Sequence, residues 1–341
     1  MPHLLSRPLA LLLLLLLAPA GADHGPALGA AEEAWAPWLE GEGARGLEAR
    51  YSSRKAAKGR VLVVVPKGTS ASKLGKVSEK VVKRFDELFE EDERDLTRTP
   101  ARTAVLVSLA GPDSLASVTR FLASVEPRLS GWASSAAGGT GFALEDPLCA
   151  GWLEEVETSE VWSPENELVN RLTRLLTVER YGRQPHWLAQ GLAWFVELEV
   201  CKDVYCFPFR TGFVSKKEHR SWPRRLGEVL AARGERPLEM ELLAGWPRSS
   251  WNEESAVLSW GAVAMLAEHF PEELPQVLAA FRELRDTDGR DTKPDGSWTV
   301  IPDYEVPAAQ QLEVLDRQLG VDFLTELDRW ARKPKTYRRP R

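Results

Sequence analysis

Two short phrases bring together residues that could do chemistry. In Ser163-Pro-Glu-Asn-Glu-Leu-Val-Asn170, Asn166 and Asn170 stand four apart, so on a helix they share one face, with Glu167 between them. Downstream, Pro185-His-Trp-Leu-Ala-Gln-Gly-Leu-Ala-Trp-Phe-Val-Glu197 carries Gln190. Glu167 could act as a general base, but only if a water beside it were activated. The amides cannot supply that activation through a metal. They are neutral and bind Zn²⁺ poorly next to imidazole, thiolate or carboxylate. Arg171 follows four residues after Glu167 and Arg174 lies one turn further on, so an ion pair is the expected role of this carboxylate.

The remaining chemistry-bearing residues are scattered. His186, His219 and His269 are not spaced as metal ligands and are expected to be structural. G-x-S-x-G is absent. Gly138-Gly-Thr-Gly141 lacks the Lys-Ser/Thr that would make it a phosphate loop. Cys201 and Cys206 bracket four residues, and in an exported chain they could form a local disulfide or remain two thiols, with Cys149 left over. No metal and no cofactor are expected.

The two phrases together resemble the peptidase-MA-like family of gluzincins, thermolysin-like zinc peptidases. That family carries H-E-x-x-H on one helix and a glutamate ligand in a W-L-x-E-G-hydrophobic-A phrase on the next. In this chain the second phrase reads Trp187-Leu-Ala-Gln-Gly-Leu-Ala193, and the separation from Asn170 to Gln190 is similar to thermolysin-like spacing. The resemblance implies that Asn166, Asn170 and Gln190 stand at former metal-ligand positions and that Glu167 is a vestigial base. It is strongest over 160–200 and extends in element order over about 55–332. Two departures accompany it. Arg171 stands where the family has a small residue, and Ala256 stands where active relatives tend to place a tyrosine. The resemblance thus implies an exported pseudo-metallopeptidase with a degenerate zinc site. A peptide or protein in the inherited cleft is the implied partner, with a purely structural role as another reading. The alternative is an active, peptidase-like hydrolase with a non-standard site.

Composition sets the setting. Arg7, the apolar run Leu9 to Leu17 and the small residues around Ala18 to Ala22 read as a signal peptide over 1–22, with no cysteine following for lipid attachment. The expected destination is secreted or periplasmic. That run is too short to anchor in a bilayer, and no later segment has the roughly 18 apolar residues of a span. Removing 1–22 takes away one base, Arg7, and no acid, which moves the formal charge from −6 to −7. A mildly acidic chain without a basic stripe excludes nucleic acid as the expected partner. Oligomeric state is not legible.

These residues need elements to position them. A leader over 23–50 is expected to be mobile or marginally helical. An α/β subdomain over 51–160 should contain strands at Arg60–Pro66 and Thr103–Leu109 and helices at Ser72–Phe89 and within Pro112–Leu129. A loop is expected over Gly131–Gly141, then an edge strand at Trp152–Glu157 offering β-augmentation to a peptide. From 161 to 332 the pattern is helical, with Ser163 as N-cap and Leu168, Leu172, Leu175 and Leu176 on the core face. Further helices fit Pro223–Ala232, Glu253–His269, Pro271–Leu284, Ala308–Leu319 and Asp322–Ala331, with a loop over Asp286–Tyr304. A basic tail, 333–341, closes the chain. The predicted class is α+β and zincin-like, a small mixed sheet with helices followed by a mainly helical part.

Overall fold

A computed structural model of the chain describes residues 30–40, 50–89, 102–154, 163–205, 221–246, 252–294, 298–301 and 304–333. Helix α1 (Ala30–Glu40) comes first, then strands β1 (Tyr51–Ala56) and β2 (Val61–Pro66), which form an antiparallel hairpin. Its turn runs through Ala57, Lys58 and Gly59, all at positive φ. Helix α2 (Ala71–Leu88) follows, started by Ser70, whose side chain accepts from the Lys73 amide at 3.2 Å. Next come β3 (Ala104–Leu109), α3 (Pro112–Val125), α4 (Ser130–Ala136), β4 (Gly141–Leu144) and β5 (Cys149–Leu153).

The sheet order is β1-β2-β3-β5-β4. β2, β3 and β5 run parallel, and β1 and β4 pair antiparallel at the two edges. The inner strands are continuous apolar runs because both their faces are covered. Val61, Val63, Val65 and Leu106 point toward α2 and the helical half, while Leu62, Val64, Val105 and Val107 point to the opposite side.

Of the two readings of the leader, residues 30–40 take the helical one, and two other expectations for this half are corrected. α1 buries Trp35 and Trp38 against Tyr51 and Phe121, and Trp38 Nε1 donates to Ser117 Oγ at 3.1 Å. Two indoles supply enough apolar area to fix a short helix that propensity alone would not hold. The expected loop over Gly131–Gly141 holds α4 and leads into β4. The expected edge strand is an inner one. β5 ends at Leu153 and lies between β3 and β4, while 155–157 are outside the described residues. Its sequence Cys-Ala-Gly-Trp-Leu is apolar throughout, which suits a strand covered on both faces.

The helical half contains α5 (Pro164–Tyr181), α6 (His186–Cys201), α7 (Trp222–Arg233), the short α8 (Glu241–Ala244), α9 (Glu253–His269) and α10 (Leu274–Asp288). A small hairpin of β6 (Arg290–Thr292) and β7 (Trp298–Val300) occupies part of the expected 286–304 loop. α11 (Ala308–Leu319) and α12 (Phe323–Arg332) complete it. Asn252 caps α9 and Asp322 caps α12, each through a side-chain oxygen. Ser163 precedes α5 as expected but makes no side-chain cap. Its hydroxyl donates to Glu165 Oε2 at 2.7 Å instead. One apolar core runs from the inner sheet face through Leu168, Leu172, Leu192, Val263 and Phe281 to Trp330, so residues on both sides of position 160 share it.

Candidate functional site

α5 and α6 fold back on one another through the four residues Gly182 to Pro185. Their contact is apolar along Leu168, Leu172, Leu188 and Leu192, all fully buried. A polar stripe runs beside it. Asn166, Asn170, Thr173 and Thr177 recur at helical spacing on α5, and every one is buried. The two threonine hydroxyls donate to carbonyls one turn back, Val169 O and Thr173 O, each at 2.8 Å. That satisfies them within their own helix.

The asparagines reach across to α6. Asn166 Nδ2 donates to Glu197 Oε1 at 2.8 Å and to the carbonyl of Asp203 at 3.0 Å. Asn170 Nδ2 donates to Glu197 Oε2 at 3.2 Å. The Tyr205 amide donates to Glu197 Oε1 at 2.6 Å. The Glu197 side chain is completely buried, and a carboxylate removed from water in this way needs several donors to offset desolvation. One acid therefore joins α5, α6 and the 203–205 segment that follows α6.

Gln190 lies on the same helix, two turns before Glu197, about 10 Å along the axis. It too is buried, and among the described residues its Oε1 has no hydrogen-bond partner. The residue that meets both asparagines is Glu197, not Gln190. Sequence reasoning missed it because the Trp-Leu-x-x-Gly phrase points at position 190. A usable signal was present: in Leu-Ala-Trp-Phe-Val-Glu-Leu, Glu197 is an acid inside an apolar stretch, seven residues from Gln190 and so on a similar face. Beside Gln190, a Cβ on Gly191 would come within 2.4 Å of the Ser259 carbonyl, so this glycine permits the close crossing of α6 and α9. Ala256, at the start of α9, is buried and offers no donor.

Glu167 and Arg171 pair as their spacing predicts. Arg171 Nε lies 3.0 Å from Glu167 Oε2, with the carboxylate buried and the guanidinium 14 % exposed. Arg171 Nη1 also donates to the Phe142 carbonyl on β4 at 3.1 Å. This arginine links Glu167 to the outermost strand of the sheet.

Other sequence candidates lie apart. His186 packs on Trp246 with ring centroids 4.8 Å apart. His269 ends α9, and His219 is outside the described residues. Among the described residues Cys201 carries a free thiol, and Cys206, the other cysteine of the expected local pair, lies outside them. Burial, with the nearby Glu197, Glu165 and Asp203 carboxylates, pushes the Cys201 thiol up to about 12. Cys149 is buried on β5, and its thiol is pushed upward mainly by burial.

The donor set does not fit a zinc ion. Asn166 and Asn170 turn their Nδ2 groups to the buried Glu197 as hydrogen-bond donors, and an amide nitrogen in that role is not a ligand. Among the described residues, no three of His, Cys, Asp and Glu gather as a metal would require.

The described residues define an α+β protein, a small N-terminal mixed sheet with helices followed by a mainly helical C-terminal region. Neither a protein-family model nor a curated protein sequence matches the chain. Among the described residues, no helix is long and apolar enough to cross a membrane.

Proposed function

We propose that this protein is an exported, catalytically silent relative of gluzincin peptidases that binds an extended peptide in a cleft between β4 and α5. The observation that carries the reading is the pair of asparagine-to-Glu197 hydrogen bonds, at 2.8 and 3.2 Å, where the resemblance implies metal ligands. A buried carboxylate held by amide donors cross-links the two helices that a zinc ion would otherwise tie. Without a Lewis acid there is no activated water, and Glu167, engaged by Arg171, has no proton to abstract. Export rests on the signal-peptide pattern of 1–22.

β-Augmentation moves from the residues first expected to β4, the antiparallel edge strand beside the Glu167–Arg171 pair. The test is elemental analysis of the purified mature protein, with a peptidase assay on a mixed unfolded-protein substrate. The expected result is substoichiometric zinc and no cleavage. About one zinc per chain, lost on substitution of Glu167 or a histidine, would overturn the reading.

A further inference from the structure

We infer that the outward face of α2, with the β1–β2 hairpin beside it, docks on an anionic lipid bilayer and is held there by charge alone. Between Tyr51 and Phe89 the sequence holds ten Lys and Arg against three acids, Glu79, Asp86 and Glu87, a net +7 in a chain of −6 overall. Five of the ten are paired: Lys55 with Glu32, Arg60 with Asp86 at 2.8 Å, Lys73 with Glu165, Lys83 with Glu87 at 3.6 Å and Arg84 with Glu199 at 2.5 Å. The other five, Arg54, Lys58, Lys67, Lys76 and Lys80, are exposed and have no acidic partner among the described residues.

These cations gather on one side of the molecule. Lys76, Lys80 and Lys83 stand at i, i+4 and i+7 on α2, opposite its buried Leu74, Val81, Phe85 and Leu88, and span about 10 Å of the helix. Arg54 reaches them from β1. Its Cδ and Nε would lie 3.2 Å from a Cβ on Gly75, so glycine there lets the arginine rest across α2 beside Lys76. Like charges gathered this way repel one another in the folded protein, and a surface of opposite sign relieves the repulsion. The character of the face selects that surface. Four of the five unpaired cations are lysines, point charges without the fork that reads a carboxylate in two places. They sit on a strand, its turn, a loop and a helix. The exposed large apolar side chains of the described residues, Val125 and Ile301, both lie elsewhere, so no apolar anchor for a polypeptide accompanies the charge. A sheet of anionic headgroups needs no anchor. The apolar face of α2 is already spent on the sheet and on α5, so the helix can rest on a bilayer but not sink into it.

The experiment sediments the mature protein with vesicles of phosphatidylcholine alone or mixed with phosphatidylglycerol. One variant combines Arg54→Gln, Lys76→Gln and Lys80→Gln. Its control, Arg236→Gln with Lys293→Gln and Arg317→Gln, removes the same charge outside 51–89. Circular dichroism establishes folding. The expected result is binding to the mixed vesicles only, lost when salt rises from about 0.05 M to about 0.5 M. The face variant should bind at least about tenfold more weakly and the control within about twofold of wild type. Equal weakening in both variants, or none in the face variant, would overturn the assignment. So would wild-type binding to soluble polyglutamate but not to vesicles, which gives the face to an acidic protein. A third refuting outcome is vesicle binding that appears only after Glu90, Glu91, Asp92 and Glu93, outside the described residues, are replaced by neutral amides, because the face would then belong to that acidic run.

Discussion

Replacing Glu197 should unfold the joint between α5 and α6 more than any substitution at Asn166, Asn170 or Gln190. Its carboxylate accepts from Asn166 Nδ2, Asn170 Nδ2 and the Tyr205 amide, at 2.8, 3.2 and 2.6 Å. In Glu197→Leu these donors remain buried without their acceptor, at about 1–3 kcal/mol each. Asn166 keeps its second bond to Asp203 O, and the Tyr205 amide, on an irregular segment, can shift toward water. Those reliefs bring the expected loss to about 3–6 kcal/mol. Glu197→Gln, with its oxygen in the Oε1 place, still accepts from Asn166 and Tyr205 and puts an NH₂ against Asn170 Nδ2 alone, which a flip of that amide can accommodate, so about 1–3 kcal/mol is expected. Guanidinium unfolding followed by tryptophan fluorescence reads both, with a lowered midpoint and an unchanged slope. Asn166→Ala should add little in the Glu197→Leu background, because the interaction it would remove is already gone. A Glu197→Leu midpoint within about 1 kcal/mol of wild type would refute the view that this acid holds the helices together.

Leu192→Ala should cost about 2–5 kcal/mol, since the side chain is fully buried between α6 and its neighbours. Gln190→Leu, by contrast, removes a buried oxygen with no partner among the described residues and should leave the unfolding midpoint unchanged or raise it. Cys201, with its thiol pushed up to about 12, holds little thiolate at pH 8.5. Site-resolved mass spectrometry should find it alkylated slowly in the native protein and rapidly after unfolding without reductant; failure to react after unfolding would mean it is disulfide-bonded. A triple variant, Asn166→His with Asn170→His and Gln190→Glu, should take up zinc in equilibrium dialysis. Histidine Nδ1 occupies the branch that asparagine Nδ2 occupies, so Glu197 is placed to orient the new ligands from behind. If that variant gained neither zinc nor stability, the idea of an emptied metal site would be refuted.

Long periodic helices were legible because their apolar faces repeat at helical spacing. Glu253–His269 and Ala308–Leu319 fall where the pattern puts them. The apolar runs of β2 and β3 were equally plain. Short elements were not. β4 is four residues in a Gly-rich setting, and its pairing with β5 is decided by tertiary contact rather than by local pattern. β1, Tyr-Ser-Ser-Arg-Lys-Ala, is polar because it is an edge, and so it lacked the signal that marks an inner strand. In the site, the i,i+4 pairing of Glu167 with Arg171 was readable within one helix. The partner of the asparagines was not, because it depends on where α6 lies against α5. That offset is set by the length of α5 beyond Asn170 and by the tightness of the Gly182–Pro185 turn.

The tether between Trp38 and Ser117 spans 79 positions. On a chain that emerges from its amino end, α1 precedes the residues that receive it. The slot it occupies is built from Tyr51 and from Phe121, which arrive later. Its two indoles find their partners only after β1, β2 and β3 have emerged. Closing the slot with α1 is thus a late step for one of the earliest helices, and it ties the amino-terminal helix to the finished sheet.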